Sequence, residues 1–96
     1  MTGQSRKTDD ILMDRVETIQ AIAQANTEQL RLNQKASGLM VLDMKDARDG
    51  VKDHAHEDVQ IRNDLALKEN AETINRLEAR LSSLDEELEA AMKEKG

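Results

Sequence analysis

Ninety-six residues without one Phe, Tyr, Trp or Pro, and with only four Gly, are poorly supplied for a compact globular core or for the turns that would close one. Charged residues make up 35% of the chain and apolar ones 38%, the balance expected of long helices or a coiled coil. The formal charge of −6 sits in the second half, where seven basic side chains face thirteen acidic ones, so neither nucleic acid nor an anionic membrane is an expected partner.

The absence of cysteine removes disulfides and thiol chemistry. No apolar run approaches the roughly 18 residues of a membrane span, and residues 1–10 are polar where a signal peptide needs an apolar stretch. A virion or cytoplasmic location is expected.

Residues 1–8 read as a flexible arm. Thr8 is the expected N-cap, with Asp9 and Asp10 at the positive end of the helix dipole. Residues 9–49 then read as a coiled-coil helix. Steps of four and three fall on Leu12, Val16, Ile19, Ala23, Asn26, Leu30, Asn33, Ser37, Met40, Met44, Ala47 and Val51. The middle of this seam is polar. Asn26 and Asn33, when buried between helices, lower stability but restrict register.

Asp49-Gly50, behind Lys45 and Arg48, resembles a helix C-terminus, and Asp53 could cap a new helix. Gly38 is a weaker candidate break. Residues 50–60 are expected to form an irregular hinge, and residues 61–95 a second, Leu-rich coiled-coil helix. Its seam runs through Leu67, Asn70, Ile74, Leu77, Leu81, Leu84, Leu88 and Ala91, with Asn70 as a third polar layer.

The two seams do not share a frame. The expected fold is therefore an elongated all-α parallel coiled coil with a break or frame shift near Gly50. The alternative is a long helical hairpin that forms a bundle by oligomerisation. Either way the seams need partner helices, and a homo-oligomer is expected, with a trimer slightly ahead. Leu12, Val16, Ile19, Leu30, Met40, Met44, Val51, Ile74, Leu77, Leu81, Leu84 and Leu88 are its expected contacts.

Chemistry-bearing residues are few. His54 and His56, with Asp58, form a cluster of ligand-type side chains that a parallel trimer could gather around a metal ion, although a solvated irregular stretch is the favoured reading of them. Serine has no paired base, no Gly-rich phosphate loop exists, and acids on a rod lack a water-excluding pocket. An enzyme is not expected, and no cofactor is implied.

Arg15-Val16-Glu17-Thr18 and Asn70-x-x-x-Ile74-x-x-Leu77-Glu78 resemble the small coiled-coil proteins of the phage haemolysin XhlA type. No stretch of these residues matches the apolar membrane anchor that ends that family, so a lysis-related membrane activity is not expected. The Asn layers at 26 and 33, the lack of aromatics and the His-x-His motif resemble the trimeric stalks of phage tail fibres and needles. These resemblances imply a stalk, spacer or connector in a phage virion, bound to other structural proteins of the particle. A cytosolic adaptor or regulator that offers a helix surface to a partner protein is the alternative.

Overall fold

The computed structural model describes the backbone of residues 7–50 and 55–95, and the side chains of residues 7–50 and 56–94. It consists of two helices, α1 (Thr8–Asp49) and α2 (Ala55–Lys95), in a body of 73 × 15 × 14 Å. A helix of 42 residues is about 63 Å long at about 1.5 Å per residue. Two such helices end to end would exceed 120 Å, roughly. The chain is therefore folded back on itself: of the two architectures open in the sequence, the structure has the hairpin and not the continuous parallel rod.

Cross-helix contacts give the direction. Arg15 of α1 meets Asp85 near the end of α2 at 2.6 Å, whereas Asp46 near the end of α1 meets His56 at the start of α2 at 3.4 Å. The reversal begins at Gly50, which adopts φ 76° and ψ 13° and points its amide at the carbonyls of Asp46 and Ala47. That left-handed conformation costs little without a Cβ, so glycine stops α1 where a side chain would favour its continuation. Val51 and the expected cap Asp53 lie outside the described residues.

Other boundaries differ from expectation by small, explicable amounts. Lys7, extended at φ −66° and ψ 145°, is the N-cap in place of Thr8; it makes no side-chain cap bond, and its carbonyl accepts from Asp10 and Ile11 at 3.0 and 3.2 Å. Thr8 is already helical, and its hydroxyl is buried without a partner. Helix α2 starts at Ala55, so half of the expected hinge is helical, with Glu57 and Asp58 in the first turn favouring its N-terminus. Gly38 makes no break. The good helix formers around it outweigh the roughly 1 kcal/mol cost of one interior glycine.

Burial is sparse. Ile11, Ala25, Leu32, Leu39, Leu84 and Ala91 are the buried apolar side chains among the described residues, joined by Thr18 and Asn63. Ile11, Leu84 and Ala91, with Leu88 packed against them, close the end of the hairpin away from the turn. Farther along, polar groups carry much of the contact between the helices.

Candidate interaction surface

Helix α1 buries Ile11, Thr18, Ala25, Leu32 and Leu39, a strict seven-residue repeat. Half-buried Arg15, Ile22, Gln29 and Ala36 fill the steps between them. This inner seam lies one residue before the one legible in the sequence. One residue is about 100° of helix rotation, so Leu12, Val16, Ile19, Leu30, Met40 and Met44 point away from α2 and are exposed. Their exposures range from 40% at Leu12 to 66% at Met44, and Asn26 and Asn33 lie exposed along the same line.

Helix α2 behaves differently. Its inward line runs through the residues expected as a seam between copies but faces α1 of the same chain, with Leu84 buried and Leu67, Asn70, Ile74, Leu77, Leu81 and Leu88 half-buried, and it extends backward through Asn63 and Gln60 to His56. Asn63 and Asn70 project onto α1. The Asn63 amide donates to the carbonyl of Leu32 at 3.1 Å, and that of Asn70 to the carbonyl of Ala25 and to Gln29 Oε1, each at 2.8 Å. Donors seven residues apart thus reach carbonyls seven residues apart. A one-heptad slip would still offer each amide a helix carbonyl but would take Asn70 away from the Gln29 side chain and part Arg15 from Asp85, so these side-chain contacts favour the observed register.

Ion pairs flank this seam on both sides. Arg15 Nε meets Asp85 on one side, and Arg80 meets Asp14 at 3.7 Å on the other. Near the turn, the Gln60 amide donates to Asp43. A groove of about 340 Å³ lies alongside, lined by Ala36, Leu39, Met40, Asp43, Gln60, Asn63 and Asp64. Met40 belongs to the outer line of α1, so the groove opens onto that face.

The outer line of α1 carries no charge. In residues 12–44 the acids and bases are Asp14, Arg15, Glu17, Glu28, Arg31, Lys35 and Asp43. By helical rotation, each falls on the inner seam or on the opposite side of the helix. Arg31 donates to Glu28 one turn away, a hydrogen bond that holds the Glu28 carboxyl below its ordinary pKa and Arg31 above its own. What remains is a strip of Leu, Val, Ile, Ala and Met, interrupted by Asn26, Asn33 and Ser37 and bordered by Met13, Gln20, Thr27, Gln34 and Val41. Interface cores are depleted of charge in this way, whereas a solvated helix face is not.

The candidate metal cluster is not assembled by the described residues. His56 faces Asp46, Asp58 gives its carbonyl to Arg62, and His54 lies outside the described residues. No group of three or more ligand-type side chains that could hold a metal occurs among the described residues. Nor is any helix among them long and apolar enough to cross a membrane.

The inner seam of α1 escaped sequence reasoning because Arg15, Thr18 and Gln29 interrupt it. Its signal was the run Ile22, Ala25, Leu32, Ala36 and Leu39 in steps of three, four and seven. No protein-family model matches the chain, and neither a curated protein nor a solved structure matches it.

Proposed function

We propose that this chain is a structural assembly protein, a helical spacer or connector within a larger particle such as a phage virion. The observation that carries the reading is the uncharged apolar strip along α1, left exposed after the hairpin has closed. An exposed apolar face of this length is a docking surface, since a free protein would decorate it with charge. The slender 73 Å body suits spacing. The resemblance of its sequence to phage coiled-coil proteins supports the setting.

Quantitative mass spectrometry of particles purified from the source cells tests this. The chain should be present in a fixed ratio to the other structural proteins, and that ratio should survive washing in high salt because the contact is apolar. Recovery as a soluble chain that exchanges with a partner protein would instead make it an adaptor.

A further inference from the structure

The strip on α1 does not by itself say what covers it, but three features converge on one occupant. Resting on the assembly reading above, we infer that the outer strip of α1 packs against the same strip of a second copy of this chain, with the two α1 helices parallel and in register.

Area is the first argument. Residues 12–44 span about 48 Å at about 1.5 Å rise, and a helix is about 10 Å wide, so the strip covers roughly 500 Å² per copy. Twice that is about 1,000 Å², the size a specific interface should clear. A twofold pair supplies both halves from one sequence, as isologous dimers do.

The polar layers give the second argument. In a parallel, unstaggered pair, Asn26 meets Asn26 of the other copy and Asn33 meets Asn33, so each side-chain amide finds both a donor and an acceptor. Ile19, Leu30, Met40 and Met44 likewise meet their own equivalents. An antiparallel pair centred on the strip, with the usual a-to-d layers, sets Asn26 against Leu30 and Asn33 against Ala23. Both amides are then left facing apolar groups.

Charge on α2 supplies the third. Because the hairpin helices run in opposite directions, a one-residue step turns both outer faces to the same side, the side on which Arg15 meets Asp85. There α2 presents Glu57, Asp64, Glu78, Asp85 and Glu89 against Lys68. A perpendicular twofold, which runs the α1 helices antiparallel, would also bring these α2 faces together and oppose acid to acid. A twofold parallel to the helices places the α2 helices at opposite flanks and leaves their charges in water. Charge-free and charged faces are both accommodated only in the parallel pair.

The full-length protein and its variants test this. Sedimentation equilibrium of the native chain should give twice the 10.8 kDa chain mass, and scattering should keep the longest dimension near that of the 73 Å hairpin, since in-register pairing adds width only. Ile19→Glu, at a position exposed in the hairpin, should keep the helical circular dichroism at high concentration and weaken pairing by about 100-fold or more, because two charges would be buried together. Ile19→Cys in this cysteine-free chain should form a disulfide with its own copy on mild oxidation.

A monomer at 100 µM, a mass of three chains, or a dimer unaffected by Ile19→Glu would overturn the inference. So would a dimer in which the Ile19→Cys chain cross-links only to a Ser37→Cys chain, because the antiparallel pair sets position 19 against position 37 and holds the two copies of position 19 about 27 Å apart. The two readings fail separately. A monomer that still enters particles at fixed ratio defeats the pairing alone, and a parallel dimer absent from every particle defeats the assembly role alone.

Discussion

Replacing Asn63 by leucine should stabilise the protein, which is the opposite of what most core substitutions do. Asn63 is 3% exposed, and its Oδ1 is buried with no hydrogen-bond partner while Nδ2 donates to the Leu32 carbonyl. An unsatisfied buried acceptor costs about 1–3 kcal/mol, and the single bond made contributes about 0.5–1.5 kcal/mol. The Leu32 carbonyl loses only an added donor, since it lies inside α1 and keeps its place in the helix ladder. Leucine at 63 would add about 1.5–3 kcal/mol of apolar burial, and the adjoining groove leaves room for its bulk. The balance favours Asn63→Leu by about 2 kcal/mol, or a melting temperature higher by on the order of 10 °C. Thermal melts by circular dichroism at fixed concentration read the change. Asn63→Asp is the control and should destabilise, because it buries a carboxylate near Asp43 and Asp64. A lower melting point for Asn63→Leu would show that Oδ1 is satisfied in solution and refute the reasoning.

Leu84→Ala should cost about 2–5 kcal/mol in the same melts, because Leu84 is 1% exposed in the cluster that closes the hairpin. Asn33→Ala should cost far less, since Asn33 is exposed in the hairpin; equal losses would mean that the cluster is not the anchor. Gly38→Ala should stabilise by about 0.5–1 kcal/mol: the glycine is exposed within α1, and an added Cβ would meet nothing within 4 Å. A loss there would show strain at that turn of α1. For Arg15 and Asp85, a double-mutant cycle with alanine should give a coupling of about 0.5 kcal/mol that shrinks in high salt, as partly exposed pairs do, and zero coupling at low salt would remove this contact from the register.

The helical content, the interruption at Gly50 and the α2 line from Leu67 onward were legible because each rests on local chemistry: propensity, a glycine at C′, and leucines at a clean heptad spacing. Pairing partners were not. Residues 11 and 12 are both large and aliphatic, and 18 and 19 place Thr beside Ile, so the more apolar line through Leu12 and Ile19 reads as the single seam of α1. The structure buries the neighbouring line instead, because folding back brings α2 and its donors Asn63 and Asn70 against Leu32 and Ala25. Asn70 was visible as a polar layer, but its partner was not, since a hydrogen bond to a helix carbonyl leaves no trace in the partner's side chain. Sequence favours the rod over the hairpin for a similar reason. The first frame continues to Val51 on paper, but a frame in sequence cannot register the left-handed turn at Gly50.

Two seams on one helix divide the work of folding and assembly, and the division has a measurable consequence. The inner seam specifies direction and register through amides and ion pairs, yet among its buried side chains only Ile11, Ala25, Leu32 and Leu39 are apolar. The outer seam holds more large aliphatic side chains, and each stays at least 40% exposed in the closed hairpin. Hairpin formation alone therefore leaves much of the apolar stabilisation of α1 unrealised, and pairing of α1 helices recovers it, so that assembly and folding should be linked. Linkage of this kind makes melting depend on concentration. For a dimer of 96-residue chains, a tenfold dilution changes the free energy by about 1.4 kcal/mol, which corresponds to a melting temperature lower by about 3–5 °C. Circular dichroism melts from 1 to 100 µM read this directly. Ile19→Glu should melt lower than the native chain at every concentration and lose the dependence, since its hairpin folds alone. A native protein whose melting point holds constant across that range would show that the inner seam suffices, and the reasoning from the two seams would fail.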